Sequence, residues 1–246
     1  MKIVVIIPSR YRSTRFEGKA LALISGKPMV QWVYERSVQA ERVDDVAVAT
    51  DDQRIVDVVE AFGGKAIMTS DDNRSGTDRV AEAAAIMELN PDDIIINVQG
   101  DQPLLDPRSL DQVVSPFFDE PNIEMSTLGF PIVNQREITD PKDIKVVFDQ
   151  NGFALYFSRS TIPYCRDPGV EYDTYKHLGI YAYTRRFLEI YRSLPVGKLE
   201  EIEKLEQLRA IEYDHPIRVV VTPYDSPEVD LPVDIERIEK KINKVN

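Results

Sequence analysis

Four cationic side chains lie within ten residues near the start of the chain: Arg10, Arg12, Arg15 and Lys19. Glu17 is the only acid among them, although the whole chain has a formal net charge of −12. Cations concentrated in an otherwise acidic chain, directly after a short apolar strand, indicate an anion site. The segment lacks the Gly-x-x-x-x-Gly-Lys-Ser/Thr pattern of a P-loop. A solvated turn with scattered arginines is the alternative.

Asp101 is the acid that could complement these cations. It follows an apolar run, Ile94–Val98, and the flexible Gly100. Because parallel strands in an open α/β sheet end at one edge, Asp101 and the basic loop should lie near each other. A carboxylate that faces a phosphate-binding loop commonly holds Mg²⁺. The alternative is an aspartate that only shapes a turn or caps a helix.

Strand, loop and helix alternate three times within about the first hundred residues, which predicts βαβ units and a parallel sheet with right-handed crossovers. The first strand is predicted to end at Pro8, which has no N–H for a ladder. Apolar runs predict strands at 3–7, 46–49, 66–68 and 94–98, and helical spacing predicts helices at 29–39, 55–62 and 80–89.

The second half has a different pattern. Asn151-Gly152 between two apolar runs predicts a hairpin over residues 145–157. Further apolar runs predict strands at 125–130, 176–183 and 218–221, and helices at 110–118, 186–194, 200–213 and after Asp234. Since no low-complexity linker or repeat occurs, we expect one domain over residues 1–246 with an inserted antiparallel element.

Length and composition exclude several classes of protein. With 246 residues, 43% of them apolar, the chain can bury a large core. No apolar run of membrane-spanning length and no signal-peptide pattern occurs, so we expect a cytoplasmic protein without a membrane partner. The single cysteine, Cys165, excludes an internal disulfide and a cysteine-only metal site. The acidic balance argues against a nucleic-acid partner.

Three segments resemble the cytidylyltransferases that make CMP-3-deoxy-manno-octulosonate, the CMP-Kdo synthetase family. Ile-Pro-Ser-Arg-Tyr-Arg-Ser-Thr-Arg-Phe-Glu-Gly-Lys-Ala-Leu, residues 7–21, is similar to the family's opening. Asn97–Pro103 is similar to Asn-Val-Gln-Gly-Asp-Glu-Pro, with Gln102 in place of the glutamate. Val229–Asp234 is similar to Val-Asp-Thr-Pro-Glu-Asp, with Leu231 and Val233 as departures.

The resemblance implies a magnesium site and a set of catalytic residues. In the family, the aspartates that correspond to Asp101 and Asp230 bind Mg²⁺, and Lys19 would join them in catalysis. Asp230 has another interpretation, the N-cap of the last helix with Pro232 at an early helical position.

The resemblance also implies where CTP binds. The segment Arg74–Arg79 is similar to the Ser-Gly-Thr-Glu-Arg segment that lines the family's cytidine pocket. Thr77 could equally be a helix cap. The implied CTP-binding residues are Pro8, Ser9, Arg10, Arg15, Lys19, Arg74, Ser75, Gly76, Thr77, Gln99 and Asp101.

A third set would bind the sugar acid. Kdo carries one carboxylate and many hydroxyls, so a binder needs a fixed cation and neutral hydrogen-bonding groups. The implied residues are Gln102, Arg159, His177, Tyr181, Glu206 and Gln207. A lone histidine in a strand is commonly structural, and we interpret His177 as a ligand contact and not as a general base.

The resemblance implies a Rossmann-like, GT-A-like nucleotidyltransferase fold: a three-layer α/β sandwich whose mostly parallel sheet carries an antiparallel insertion. A sugar-binding and dimerisation subregion is expected at about residues 125–195, in a homodimer.

The implied reaction joins CTP to Kdo, or to its 8-amino analogue, for lipopolysaccharide synthesis. Asp101–Pro107, Tyr175–Phe187 and Leu205–Arg209 resemble the 8-amino subgroup. The alternatives are a transferase for another alcohol or sugar acid, and a non-catalytic nucleotide-binding protein.

Overall fold

The computed structural model describes residues 1–12, 16–167 and 169–245, which form two compact units. The first unit comprises Met1–Asp111, Thr184–Arg186 and Tyr224–Asn246, and the second comprises Gln112–Tyr183 and Phe187–Pro223. The strands are β1 Ile3–Ser9, β2 Leu23–Ile24, β3 Lys27–Pro28, β4 Asp45–Thr50, β5 Ala66–Met68, β6 Ile94–Asn97, β7 Met125–Pro131, β8 Lys145–Phe148, β9 Ala154–Ser158, β10 Tyr175–Thr184 and β11 Arg218–Val221. The helices are α1 Met29–Val38, α2 Gln53–Ala61, α3 Gly76–Ile86, α4 Pro107–Val114, α5 Pro116–Asp119, α6 Gln135–Thr139, α7 Arg185–Ser193, α8 Lys198–Glu203, α9 Leu208–Glu212 and α10 Pro232–Val245, with a short 3-10 helix at Lys19–Leu21.

The first unit contains the predicted parallel sheet, in the order β6-β1-β4-β5. Its central strand β1 is fully buried over Val4–Ile7, which explains the unbroken β-branched run in the sequence. From β1 the chain adds β4 and β5 on one side and then returns to place β6 on the other side. The strand order therefore reverses between β1 and β6, which makes this the switch point of the unit.

The predicted end of β1 at Pro8 is wrong. The strand continues to Ser9, and Pro8 lies opposite Ala49 of β4. The ladder between β1 and β6 ends at Ile6, and the Pro8 carbonyl faces Gly100 beyond the end of β6. Because Pro8 lies past that ladder, its missing N–H costs no strand-to-strand hydrogen bond.

The helices that apolar spacing predicts in this unit are confirmed, but α3 begins earlier than predicted. It starts at Gly76 instead of near Val80, because the Ser75 side chain accepts a hydrogen bond from the N–H of Asp78 and caps the helix. After α2, Gly63 adopts a φ of 80°, as its predicted C-cap position requires.

The second unit is built around antiparallel pairs. The predicted hairpin is confirmed: β8 and β9 pair antiparallel, and Gly152 has a φ of 82° in the turn. Strand β10 pairs antiparallel with both β7 and β8, whereas β11 runs parallel to β7. This element is the antiparallel part that the sequence predicts within a mostly parallel fold.

The single helix predicted over residues 200–213 is wrong. Lys204 adopts a left-handed conformation, with a φ of 55°, and separates α8 from α9. Across the break, the buried Arg209 forms two hydrogen bonds to the carboxylate of Glu200, at 2.7 and 2.5 Å. Leu205 and Leu208 both follow Lys204 and are both buried, so their helical spacing alone gave no warning of the break. In the described residues, no helix combines the length and the apolarity that crossing a bilayer would need.

Candidate active site

The candidate site of the first unit lies at the carboxyl ends of β1 and β6, at the switch point of the sheet. Ligands of open α/β sheets bind at such a point because the loops after the two strands diverge and leave a crevice. The basic loop follows β1, and Gln99, Gly100 and Asp101 follow β6. The two motifs that were far apart in sequence are therefore neighbours in this unit.

Lys19 and Asp101 are in direct contact. Lys19 Nζ lies 2.5 Å from Asp101 Oδ2, and each side chain keeps only about a fifth of its surface exposed, 19% and 21%. The short helix that begins at Lys19 is preceded by Gly18, whose φ of 67° turns the chain toward the sheet. The other carboxylate oxygen, Asp101 Oδ1, is buried without a hydrogen-bond partner in the described part of the protein. A buried, unpaired carboxylate oxygen beside a cation points to a missing ligand.

Gly100 allows the two strand ends to come close together. A β-carbon at this position would lie 3.0 Å from Ser9 Oγ and 3.3 Å from the Pro8 carbonyl oxygen. Any other residue would push the loop after β6 away from β1. Ser9 Oγ is itself buried and has no partner among the described residues. It is thus a second polar atom at this edge that a bound ligand could satisfy.

Arg10 connects the basic loop to the segment before α3. Its guanidinium donates to the carbonyl oxygens of Asn73 and Ser75, the latter at 3.3 Å. Pro8 also reaches this segment, because its Cγ lies 3.4 Å from the position of a β-carbon on Gly76. Arg74 is exposed nearby. Arg15, the remaining predicted phosphate contact, lies outside the described residues.

The segment that is predicted to bind cytidine contains buried side chains that hold it in place. Thr77 is buried and accepts a 3.5 Å hydrogen bond from Asn97 Nδ2, and Asn97 Oδ1 accepts one from Gln99 Nε2. Ser75, and not Thr77, caps the helix. Arg79 is fully buried between Thr69 Oγ1 and Asp51 Oδ2, at 2.5 and 2.8 Å, so this arginine holds α3 in place.

Asp230 is brought to the same region by the core of the unit. Val229 is buried with Ile24, Met29 and Ile238, and its N–H donates to the carbonyl oxygen of Asp101 at 3.0 Å. At the start of α10, the carboxylate of Asp234 accepts from the N–H of Asp230 and of Leu231, at 3.0 and 2.9 Å. Asp234, in the first turn of α10, thus binds back to the N–H groups that precede the helix, and the position directly before Pro232 is occupied by Leu231 and not by Asp230.

Glu228 is a residue that sequence reasoning missed. Its Oε1 accepts a 3.3 Å hydrogen bond from Nε2 of the buried Gln102. The residue as a whole is exposed to solvent, although many protein atoms surround its carboxylate. Burial, followed by the nearby carboxylates of Asp101 and Asp230, raises the pKa of Glu228 to about 8. The only sequence signal was its alternation with Asp230 around an apolar Val229.

The carboxylate oxygens at this edge of the sheet suit a divalent cation that binds together with the phosphates of a nucleotide. Asp101 offers a buried oxygen that has no partner among the described residues, and the carboxylates of Asp101 and Asp230 are near enough to act on Glu228. No group of three or more Asp, Glu, His or Cys side chains in the described ranges forms a metal site by itself. Mg²⁺ does not need one, since it commonly binds one or two carboxylates together with substrate phosphates and waters.

In the second unit, a β-bulge brings two predicted sugar-binding residues together. The register between β10 and β7 shifts between His177 and Tyr181, and Gly179 between them has a φ of 68°. The rings of His177 and Tyr181 lie 5.1 Å apart, and Phe157 packs edge-on against His177. Bulges re-aim side chains in this way and are common next to functional sites.

The hydrogen bonds of His177 determine its tautomer. Thr127 Oγ1 donates its only proton to the carbonyl oxygen of Ile180, at 2.7 Å, and lies 2.9 Å from His177 Nε2. The threonine can only accept from His177, so Nε2 carries the proton and Nδ1 is an acceptor. Burial lowers the pKa of His177 to about 3, so the ring is neutral near pH 7. Such a histidine can accept a hydrogen bond but is a poor general base, and its role as a ligand contact stays a prediction.

The remaining predicted sugar-binding residues of this unit are found near the break between α8 and α9. Glu206 and Gln207 lie in the break, and Arg159 contacts the end of α8. Arg159 Nε donates to the carbonyl oxygen of Glu203 at 2.8 Å, and its Nη1 donates to Pro141 at 3.0 Å. The Glu206 carbonyl accepts from the Tyr191 hydroxyl at 2.6 Å. Gln207 is buried, and its Nε2 has no partner in the described residues, so it could donate to a ligand.

Comparison with known proteins places this arrangement in a family. A cytidylyltransferase family model matches residues 4–218, which is most of the chain. A 3-deoxy-manno-octulosonate cytidylyltransferase of Desulfatibacillum aliphaticivorans is 65% identical over 239 residues, covering 97% of this chain and 98% of the relative. The chain belongs to the CMP-Kdo synthetase family of cytidylyltransferases.

Family members with two different names resemble this chain closely. An 8-amino-3,8-dideoxy-manno-octulosonate cytidylyltransferase of Shewanella frigidimarina is 56% identical over 243 residues, covering 98% of this chain and 99% of the relative. Among solved structures, a CMP:2-keto-3-deoxy-manno-octonic acid synthetase in complex with CTP matches with a TM-score of 0.93 and 42% identity, and each chain is covered completely. The α/β nucleotidyltransferase fold expected from the sequence is thereby confirmed.

Proposed function

We propose that the protein is a cytidylyltransferase that joins CTP to a Kdo-type 2-keto sugar acid and releases pyrophosphate. The observation that carries this proposal is the contact between Lys19 and Asp101 at the switch point of the first unit, where Ser9 Oγ and Asp101 Oδ1 have no hydrogen-bond partner among the described residues. Relatives named for this reaction, and a related structure complexed with CTP, support it.

The first unit would bind the nucleotide. Lys19 and Arg15 would neutralise the phosphates, while Arg10 fixes the loop against Ser75. The backbone near Pro8 and Gly76, with Ser75, Thr77, Gln99 and Arg74, would contact the cytidine and ribose. Positioning and charge neutralisation account for most catalysis of phosphoryl-type transfers, and these residues supply both.

In the reaction, the anomeric hydroxyl oxygen of the sugar forms a bond to the α-phosphorus of CTP as the bond to the pyrophosphate oxygen breaks. Lys19, pre-placed at the strand edge, would stabilise the negative charge on the leaving group. Asp101 and Asp230 would hold Mg²⁺, which when bound neutralises phosphate charge and lowers the pKa of a coordinated hydroxyl. The hydroxyl proton leaves to solvent or to a nearby carboxylate.

The second unit would recognise the sugar acid. His177 Nδ1 is an acceptor for a hydroxyl, and Tyr181, whose ring is tilted against that of His177, supplies a phenol. Arg159 is fixed by two backbone carbonyls, so its guanidinium is pre-organised for the carboxylate. Gln207 and Glu206 would contact the remaining hydroxyls. We further propose a cytoplasmic homodimer that supplies activated sugar for lipopolysaccharide.

Pyrophosphate release tests the function. The protein, CTP and Kdo should release pyrophosphate with Mg²⁺ present and stop when EDTA is added, and ATP, GTP and UTP should support far lower rates. Release with other alcohols and not with Kdo-type acids would favour a different cytidylyltransferase. Binding of CTP without release for any sugar would identify a non-catalytic nucleotide-binding protein.

A competition distinguishes Kdo from its 8-amino analogue. Both sugars are supplied at equal concentration and the two CMP-sugar products are measured. A preference of about tenfold for the amino sugar, about 1.4 kcal/mol in transition-state binding, would assign the chain to the 8-amino subgroup. The same preference for Kdo would reject that assignment.

A further inference from the structure

Glu203 is the last residue of α8, and three hydrogen bonds join it to the end of β9 in the second unit. Its carboxylate accepts from Ser158 Oγ at 2.6 Å and from the backbone N–H of Arg159 at 3.1 Å. Its backbone carbonyl accepts from Arg159 Nε at 2.8 Å. One residue therefore holds both the backbone and the guanidinium of Arg159.

The Glu203 carbonyl is available to the arginine because α8 ends at this residue. Carbonyls in the last turn of a helix have no partner within the helix, and Lys204 leaves the helical path with a φ of 55°. The helix is held at its start as well, since the N–H groups of Leu199 and Glu200 donate to the carboxylate of Glu212 in α9, at 2.9 and 3.2 Å. The position of Glu203 is thus set by the attachment of α8 to α9.

The other side of the guanidinium is also held by a fixed carbonyl. Arg159 Nη1 donates to the carbonyl oxygen of Pro141 at 3.0 Å. Lys145 is fully buried, and its Nζ donates to the carbonyl oxygens of Asp140 and Asp143, at 2.8 and 2.6 Å, on both sides of Pro141. A buried ammonium therefore fixes the loop that receives Arg159.

These contacts orient the charge of Arg159 without neutralising it. In the described ranges, the guanidinium bonds to backbone carbonyls and forms no ion pair with a carboxylate, and its Nη2 donates to no other residue. The Glu203 carboxylate is directed to a backbone N–H and a hydroxyl instead. A half-buried guanidinium that is fixed on two sides and keeps its charge suits an anionic ligand such as a carboxylate.

We infer that Glu203 is a positioning residue for recognition of the sugar carboxylate, and that it acts through Arg159. The inference rests on the proposed function, in which Arg159 binds that carboxylate. Glu203 also ties Arg159 to the break between α8 and α9, where Glu206 and Gln207 lie. It therefore keeps the predicted sugar-binding residues from β9 and from the break at fixed distances from one another.

The test compares Glu203→Gln with Glu203→Asp, using pyrophosphate release at varied sugar concentration. Glutamine keeps the length of the side chain: its amide oxygen can accept from the Arg159 N–H, and its NH₂ group can donate to the Ser158 hydroxyl, which accepts equally well. We expect its KM for the sugar to stay within about twofold of wild type. Aspartate keeps the charge but is one methylene too short to reach both donors, so the sugar KM should rise about fivefold.

The order of these two variants separates positioning from charge. A dependence on charge would make Glu203→Asp the milder change and Glu203→Gln the severe one. That reversed order, or an unchanged sugar KM in Glu203→Asp, would overturn the inference. KM for CTP should stay at the wild-type value in both variants, because Arg159 belongs to sugar recognition; an equal rise in both KM values would indicate a general structural effect and overturn it as well.

A double-mutant cycle shows whether Glu203 acts through Arg159. Arg159→Ala should raise the sugar KM more than Glu203→Asp does, and Glu203→Asp should add less than about twofold once Arg159 is absent. A further fivefold rise in the double variant would show that Glu203 acts independently of Arg159 and overturn the inference. Glu201→Asp, the same change at an exposed position of α8, is the matched control and should alter neither KM nor the melting temperature. A wild type that releases no pyrophosphate with either sugar would instead reject the proposed function.

Discussion

Replacing Asp101 by asparagine separates a catalytic carboxylate from a structural one. The substitution keeps the shape of the side chain and one oxygen for Lys19, but it removes the charge that faces Lys19 at 2.5 Å. If the Asp101 carboxylate holds Mg²⁺ and complements the phosphate loop, its loss should lower kcat by at least about a hundredfold, or roughly 2.7 kcal/mol of transition-state stabilisation.

The folded state should tolerate the change, because two effects oppose each other. Loss of the charged partner of a largely buried lysine is destabilising, whereas neutralising Asp101 removes one of the negative charges that disfavour ionisation of Glu228. We expect a net change in unfolding free energy below about 2 kcal/mol, which for a chain of this length is a melting-temperature shift of no more than roughly 4–8 °C. A large loss of rate with a small loss of stability is the signature of a functional residue.

The variant also has a readout that does not depend on activity. Asp101 contributes to the raised pKa of Glu228, so the pKa of Glu228 should fall in Asp101→Asn, as carboxyl-selective NMR would measure. Asp57→Asn, an exposed change on α2, is the matched control and should alter neither quantity. Near-normal turnover of Asp101→Asn with Mg²⁺ would refute the role of Asp101, and an unmoved pKa would refute its proximity to Glu228.

Three further predictions can be tested independently. Lys19→Ala should weaken CTP binding and turnover strongly, whereas Arg12→Ala, which removes an exposed cation, should matter less in the same assays; equal losses would favour a diffuse charge effect. His177 should stay neutral from pH 5 to 8 in ¹⁵N NMR, because burial lowers its pKa to about 3, and its proton should be on Nε2; a titration near its ordinary value would contradict the lowered pKa, and a proton on Nδ1 would contradict the assigned tautomer. Light scattering at micromolar concentration should show a homodimer, and a species with the 28.1 kDa mass of one chain would argue against it.

Much of the fold was determined by local sequence. The β-branched run of β1, the alternation of strands and helices, and Asn151-Gly152 in its hairpin each act through neighbouring residues, so their patterns predict structure directly. The same holds for the basic loop and Asp101: once β1 and β6 are parallel, both must lie at one edge of the sheet. The family resemblance then gave these residues their expected roles.

Other features depended on contacts that no local pattern records. Strand β1 continues through Pro8 because its ladder with β6 has already ended, which only the register of the two strands decides. Residues 200–213 divide at Lys204, where buried leucines and the Glu200–Arg209 pair outweigh helical spacing.

Glu228 is the clearest case of a property that only the tertiary structure decided. In sequence it is one acid after a proline, distant from Gln102 by 126 positions. Burial of Val229 in the core and its hydrogen bond to the Asp101 backbone bring it to the site. The sequence alone determined which residue types could do chemistry, because strand ends and charge are local properties. Packing decided which of them meet, because burial of an apolar neighbour sets the direction in which each polar side chain points.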